Sequence, residues 1–273
     1  MSIGRADLAS MLPEAGMSEQ SETRDLVGSL HKGLDVLSIL AAHPAGMTLT
    51  EMAAVAGLTR AGARRLLLTL AAAGFAAQDG RRFVLTPRLL GLARQWLDGT
   101  SLWNYAEPHM RVVAAALKES CSAAVLSDAD VVYVARVPGE RIMSVALHVG
   151  TRLPAYCTSM GRVLLSGLSG AVLEAFLEGA AIERRTEKTV IDRRALRSLI
   201  EDAAAQGFAV VDEELEIGLR SIAVPIHDRQ GKTVAAINVS TQSGRFTVAA
   251  MRRETLPLLR RAAGEIEAFF AVQ

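Results

Sequence analysis

Seven arginines lie between positions 60 and 94 (Arg60, Arg64, Arg65, Arg81, Arg82, Arg88 and Arg94), and Asp79 is the one acid among them. A cation cluster of that density has one ready chemistry, hydrogen bonding and charge pairing with a polyanion. Arg60 and Arg64 are four apart, so on a helix they share a face from which a guanine edge or a phosphate is within reach. Thr59 is placed to cap that helix and turn its first free N–H groups towards a phosphate. Small Ala61 and Gly62 let the helix approach the bases, with Arg65 beside them. Arg81 and Arg82 suit a wing lying along a backbone, where contacts position more than they specify. Thr48, with Thr50 one of two candidate N-caps for the preceding helix, completes the candidate contact set.

A second set has the chemistry to hold a small acid. Thr158 and Ser159 open a predicted helix over Ser159–Ser166, whose N-terminal dipole end favours a carboxylate. Ser221, Asn238 and Ser240 fall on predicted strands as neutral hydrogen-bond partners, and Asn238 and Ser240, two apart, face the same side. Met160 offers an adaptable apolar contact. Arg136, Arg152 and Arg220 are further carboxylate partners, with an ion pair the preferred role for Arg152. Catalysis finds no footing. Cys157 is a lone thiol with His148 and His227 remote in sequence, and reads as a buried structural cysteine. The acidic run Asp212-Glu213-Glu214-Leu215-Glu216 has no histidine at ligand spacing and reads as a solvated rim, with Asp212 the member that turns inward. The expectation is therefore a protein that is no enzyme and carries neither cofactor nor metal.

Elements must position these residues. Leu30, Leu34, Leu37 and Leu40 recur at helical spacing until His43-Pro44-Ala45-Gly46. A short helix over Thr50–Ala56 ends at Gly57, and a third begins at Thr59. It buries Ala63, Leu66, Leu67 and Leu70, with Arg60, Ala61, Arg64 and Arg65 off that stripe. A hairpin then forms around Asp79-Gly80. This order is that of a winged helix-turn-helix. After Pro87, the spacing of Leu89, Leu92, Ala93 and Trp96 predicts a linker helix. Downstream, strands are predicted at Ala123–Ser127, Val131–Val137, Ile142–Leu147, Ser221–His227 and Thr233–Ser240. Helices are predicted at Ser159–Ser166, Ala171–Glu178, Arg193–Gln206 and from Thr247 towards Phe270. Helices on a mostly antiparallel sheet make an α+β, sensor-like domain.

The chain of 273 residues suits two domains, and 50% hydrophobic with 22% charged residues is the composition of a folded protein. A formal net charge of +1 excludes a general polyanion binder and still permits one basic patch. Two separated cysteines, Cys121 and Cys157, argue against a disulfide framework or zinc knuckle and fit the cytoplasm. No apolar stretch is long enough to span a bilayer, and the N-terminus lacks a signal-peptide core, so no membrane partner is expected. The expected division is a flexible tail over 1–24, a DNA-binding domain over 25–87, a linker helix over 88–104 and an effector domain over 105–273. The border should fall near Thr100–Glu107, with Pro108 close to the start of the next helix.

Leu49-Thr50-Glu51-Met52-Ala53, Gly57-Leu58, Arg65-Leu66-Leu67 and Gly74-Phe75 resemble the N-terminal pattern of the IclR family of transcription regulators. Leu153-Pro154-Ala155, Ser159-Met160-Gly161-Arg162, Asp212-Glu213-Glu214, Gly218-Leu219-Arg220-Ser221-Ile222-Ala223 and Ala236-Ile237-Asn238-Val239-Ser240 resemble its second half. Within the family the chain looks most like regulators of protocatechuate, 4-hydroxybenzoate and β-ketoadipate catabolism. The resemblance implies a GAF/PAS-like effector domain and a dimer, or a dimer of dimers, on a palindromic double-stranded operator. RNA polymerase is a candidate partner. It also implies a pocket for an aromatic or dicarboxylic acid, lined by Val145, Ser159, Met160, Val211, Asp212, Ser221, Asn238 and Ser240. Ala61-Gly62-Ala63 departs from the hydroxyl-rich start of the family's recognition helix, so the operator sequence does not transfer. Two rival readings stand beside this one: a sensor of glyoxylate- or pyruvate-like acids, and a sensor module whose helical domain binds protein. The expected signal path runs from effector through the linker helix around Trp96 to the spacing of two recognition helices.

Overall fold

The first helices form where amphipathic spacing and caps agree. In the computed structural model, which describes residues 27–92, 101–140 and 147–272, α1 spans Gly28–Ala41, α2 Leu49–Val55 and α3 Arg60–Ala72. Of the two candidate caps for α2, Thr48 is the one used. Its hydroxyl accepts from the Glu51 N–H, and the Glu51 carboxylate accepts from the Thr48 N–H at 2.7 Å, which satisfies two orphan donors reciprocally. Gly57, at φ 61°, makes the turn that brings α3 across α2. Thr59 caps α3 by accepting from the Gly62 N–H at 3.1 Å.

Strands β1 (Met47–Thr48), β2 (Ala76–Asp79) and β3 (Arg82–Leu85) form a three-stranded antiparallel sheet in the order β1-β3-β2. The two-residue β1 is too short to show a period in the sequence, and pairing of Met47 with Phe83 holds it. Val36, Leu40, Met52, Ala63, Leu67 and Phe83 make the core of this unit. Each large member contributes roughly 1.5–3 kcal/mol by leaving water. Residues 88–92 are helical; residues 93–100, Trp96 included, lie outside the described residues, and 101–104 of the expected linker belong to the next helix.

The described residues beyond position 100 make a second compact unit. It begins with α4 (Ser101–Leu117), a single helix that runs through Pro108 and across the residues where a border was expected. Proline removes one rung of the helical ladder, at a cost of about 3 kcal/mol. The burial of Leu102, Trp103, Ala106, Met110 and Val113 along one stripe offsets that loss.

A six-stranded antiparallel sheet follows, built from β4 (Ser120–Ser127), β5 (Asp130–Val137), β6 (Arg152–Pro154), β7 (Ala209–Asp212), β8 (Leu219–His227) and β9 (Thr233–Gln242) in the order β6-β5-β4-β9-β8-β7. Its helices are α5 (Ser159–Ser166), α6 (Gly170–Gly179), α7 (Arg193–Gln206) and α8 (Leu256–Val272). A helical turn at Val248–Ala250 and a π segment at Met251–Thr255 lead into α8, with Thr247 as the cap. One sheet face packs Ile222, Ile237 and Val239 against α4 and α8. The other packs Tyr133, Ala223 and Ala236 against α5, α6 and α7. The short strands β6 and β7 were not expected, and most of the expected strand Ile142–Leu147 lies outside the described residues. Gly161 in α5 has a packing reason: a Cβ there would sit 2.0 Å from the Ala155 carbonyl oxygen.

Candidate functional site

Helix α3 buries Ala63 and Leu67 and leaves Arg60, Ala61, Arg64 and Arg65 exposed. Among the described residues, none of Arg60, Arg64, Arg65 and Arg81 has a hydrogen-bond or ion-pair partner through its guanidinium. The capped N-terminus of α3 stands beside Arg60, so backbone N–H groups and guanidinium groups converge on one end of the helix.

Two members of the expected contact set are committed elsewhere. Arg82 donates to the Gly46 carbonyl at 2.8 Å and to Glu51 at 3.4 Å, which fastens the wing to the start of α2. Thr48 uses its hydroxyl for the helix cap. Without DNA, both therefore have a positioning role, Arg82 as a tie and Thr48 as a cap. Donation by the Thr48 N–H, then by its hydroxyl, holds the Glu51 carboxyl below the usual carboxylate range.

In the second unit a cavity lies against the sheet face that carries α5. Leu147, Leu153, Val211, Leu215 and Leu219 give it apolar walls, and Tyr133, Thr158, Ser221, Asn238 and Ser240 supply polar groups. Strand register explains the arrangement, because residues directly opposite across a ladder share a face. One row runs Val211, Ser221, Ser240, Ser120, and the next runs Ala209, Ala223, Asn238, Ser122, Arg136. The space left for the centre of a water-sized sphere is about 20 Å³, roughly one water. A larger ligand enters only if a wall moves.

Asn238 donates to the Ser240 hydroxyl at 3.1 Å, while its Oδ1 is buried without a partner among the described residues. An orphaned buried acceptor costs about 1–3 kcal/mol, which a ligand group would relieve. Among the described residues, no ionised side chain lines the cavity. Burial pushes the Tyr133 hydroxyl up to about 12 and the Cys157 thiol up to about 11, so both are neutral at pH 7. Cys157 is thus a wall group and a poor nucleophile.

Arg136 ends the second row. It is half-buried, its one hydrogen bond goes to the Ser122 hydroxyl at 3.1 Å, and no carboxylate pairs with it among the described residues. Desolvation lowers its pKa from the ordinary arginine value. The other arginine candidates are taken. Arg152 pairs with Asp130 at 3.0 Å and Asp128 at 3.4 Å, and Arg220 pairs with Asp212 at 2.7 Å and donates to the Ser243 and Phe246 carbonyls.

Of the expected pocket residues, the structure brings Thr158, Val211, Ser221, Asn238 and Ser240 together around the cavity. Ser159 and Met160 are buried at the start of α5 but do not line it, and the Ser159 hydroxyl has no partner among the described residues. Asp212 is a correction. It neighbours Val211 on β7 and so points to the opposite face, where Arg220 and, at 3.7 Å, Lys188 neutralise it. Val145 lies outside the described residues. Tyr133, Leu153, Cys157, Leu215 and Leu219 line the cavity without having been named for it. Tyr133 is hidden by the bulge between Ala123 and Ala124, which shifts the register and breaks a face count along β4 and β5.

Residues 29–80 match the IclR helix-turn-helix domain, and residues 94–268 match the bacterial transcriptional regulator IclR C-terminal domain. The chain is 40% identical over 243 residues to the Pca regulon regulatory protein of Pseudomonas putida, covering 89% of this chain and 84% of that protein. It is 33% identical over 254 residues to the p-hydroxybenzoate hydroxylase transcriptional activator of Acinetobacter baylyi, covering 91% and 94%. A crystal structure of an IclR homologue complexed with 4-hydroxybenzoate, from Microbacterium hydrocarbonoxydans, superposes with a TM-score of 0.78 at 27% identity, covering 90% of this chain and all of that one. These relatives are transcription regulators, not enzymes. With a helix-turn-helix that leaves Arg60, Arg64, Arg65 and Arg81 without partners and a separate domain enclosing a cavity, the chain belongs to the IclR family as a ligand-responsive, DNA-binding transcription regulator.

Proposed function

We propose that the protein controls genes of aromatic-acid catabolism, in the branch that leads to β-ketoadipate, by binding a palindromic operator as a dimer and a small aromatic acid in the cavity against α5. The observation that carries the effector half of this reading is Arg136. A half-buried cation without a counter-charge is poised for a ligand carboxylate, and it ends the same row of side chains as Asn238. A ring fits the Leu147, Leu153 and Leu215 walls, and a ring hydroxyl would meet Asn238 and Ser240. Two names support the chemistry: one relative acts on a Pca regulon, and a structural neighbour holds 4-hydroxybenzoate. The contact set on the operator is Arg60, Ala61, Arg64, Arg65 and Arg81.

The test is a thermal-shift screen with protocatechuate, 4-hydroxybenzoate, β-ketoadipate, pyruvate and glyoxylate. A ligand of the folded state adds ~2.7 kcal/mol at ~100 times its dissociation constant. The expected result is a shift with an aromatic acid that Arg136→Gln reduces by ~1.5–3 kcal/mol, with the ligand-free melting temperature unchanged. A shift confined to pyruvate or glyoxylate would move the protein to another metabolic branch. Duplex binding that did not weaken with salt would sink the operator half of the reading.

A further inference from the structure

Leu215 and Leu219 bring to the cavity an irregular wall, the loop over residues 213–218; Leu147 supplies another outside the strands and helices. Two left-handed residues bound it, Glu213 at φ 60° and Gly218 at φ 82°, and its tip, Ile217, is exposed. Backbone bonds hold its ends: the Glu213 N–H donates to the Leu219 carbonyl at 2.7 Å and the Ser243 N–H to the Gly218 carbonyl at 2.8 Å. Its middle is held by side chains. The Glu214 carboxylate, 8% exposed, accepts from Arg162 Nη2 at 2.6 Å and from the Val190 N–H at 3.1 Å. The Glu214 carbonyl accepts from the Thr189 hydroxyl at 2.7 Å.

Arg162 works in two directions. Its other bond runs from Nε to the Tyr156 carbonyl at 3.2 Å, in the turn that carries the wall residues Cys157 and Thr158. One guanidinium, 3% exposed, therefore ties the loop wall to the helix wall. We infer that the buried Arg162–Glu214 pair is a latch that positions the 213–218 loop over the effector cavity and governs entry to it. Neither side chain lines the ligand space with its charge; the pair acts through Leu215, Cys157 and Thr158. This rests on the reading that the cavity takes the effector. With room for about one water, a wall has to move, and a loop held by the Arg162–Glu214 and Lys188–Glu213 pairs and side-chain bonds moves before a six-stranded sheet does; of the two pairs only Arg162–Glu214 is buried. A buried pair suits such a device, because its strength depends on geometry that a small displacement destroys.

The two cysteines provide a readout that needs no ligand. Cys157 lines the cavity, whereas Cys121 is buried in the cluster on the opposite sheet face. Native full-length protein would be reacted with a thiol-specific reagent, and each cysteine followed separately by peptide mass spectrometry. Glu214→Gln keeps the side-chain shape and removes the charge. The expected result is a rise of about tenfold in Cys157 modification with Cys121 unchanged, since only the local opening becomes easier. Arg162→Lys, which keeps the charge but loses one of the two bonds, should give the same selectivity to a smaller degree. Equal acceleration at both cysteines would mean that the pair supports global stability alone, and no acceleration at either would mean that it holds no wall; each overturns the proposal. Should Glu214→Gln fail to fold, Thr189→Val removes the bond to the Glu214 carbonyl, together with the hydroxyl that accepts from the Arg185 and Thr186 N–H groups, and is judged by the same ratio. Protection of Cys157 by 4-hydroxybenzoate is scored separately. Its absence would remove the effector reading of the cavity while the cysteine ratio still decides whether the latch exists.

Discussion

Four arginines in each unit show opposite habits. In the first unit Arg60, Arg64, Arg65 and Arg81 reach solvent without partners among the described residues. In the second, Arg152, Arg162, Arg220 and Arg245 each meet a carboxylate, respectively Asp130, Glu214, Asp212 and Glu119. A protein of net charge +1 thus leaves a group of unpaired guanidinium groups together on α3 and the wing, while these four arginines of the second unit are neutralised. Arg136 differs from these four: it is half-buried without a carboxylate partner among the described residues, and it shares a ladder row with the cavity residue Asn238.

The contrast can be broken at its strongest point first. Arg162→Ala leaves Glu214 buried and unpaired, so chemical denaturation should show a loss of ~3–5 kcal/mol in the second unit. A loss below ~1 kcal/mol would place this pair with ordinary surface contacts. Next comes Arg64→Ala, in which nothing inside the protein is disturbed. Operator affinity should fall by roughly ten- to a hundredfold with the melting temperature unchanged. Arg81→Ala should cut affinity more evenly across DNA sequences and lower the salt slope by about one. If either variant lost stability instead, the free-cation description of the first unit would be wrong.

Smaller effects sharpen the picture. Thr48→Ala removes the cap shared with Glu51 and should cost about 1 kcal/mol in thermal melts. Because the Glu51 pKa is lowered on folding from 4.5, its contribution is fully present above that value and is lost as pH falls through the lower folded pKa. The gap between wild type and Glu51→Gln should accordingly close in acid below pH 4.5; a gap that stayed constant to pH 3 would show that the carboxylate is not the acceptor. Arg152→Ala comes last, at under ~1 kcal/mol, because that pair sits in water.

Much of the first unit was legible in the sequence because a single period governs it. Ala63, Leu66, Leu67 and Leu70 mark one helix face, so the arginines off that stripe had to be the exposed ones. Arg82 escaped this logic: its partner is the Gly46 carbonyl, thirty-six residues away, and no local pattern encodes that contact. The second unit was harder to read. Strands β8 and β9 are covered on both faces, so their middles, Ile222–Ile226 and Val234–Ile237, are apolar runs that give no alternation to say which side meets the cavity. Asn238 and Ser240 were paired correctly by their spacing of two, whereas Asp212, taken with its neighbour Val211, could not share a face with it.

Residue order and period alone determined the helix-turn-helix with its wing, the strand-and-helix mixture that follows, and the kind of side chain available at each point. Those properties depend on neighbours within a few residues, where propensity, capping and hydrophobic spacing act. Tertiary structure decided which cations stay free and which are neutralised, that α4 runs on through Pro108, and that Tyr133, Cys157 and Leu215 meet around one cavity. Each of those outcomes depends on groups far apart in the chain. Charge pairing, burial and strand register bring such groups together only when the whole sheet has formed.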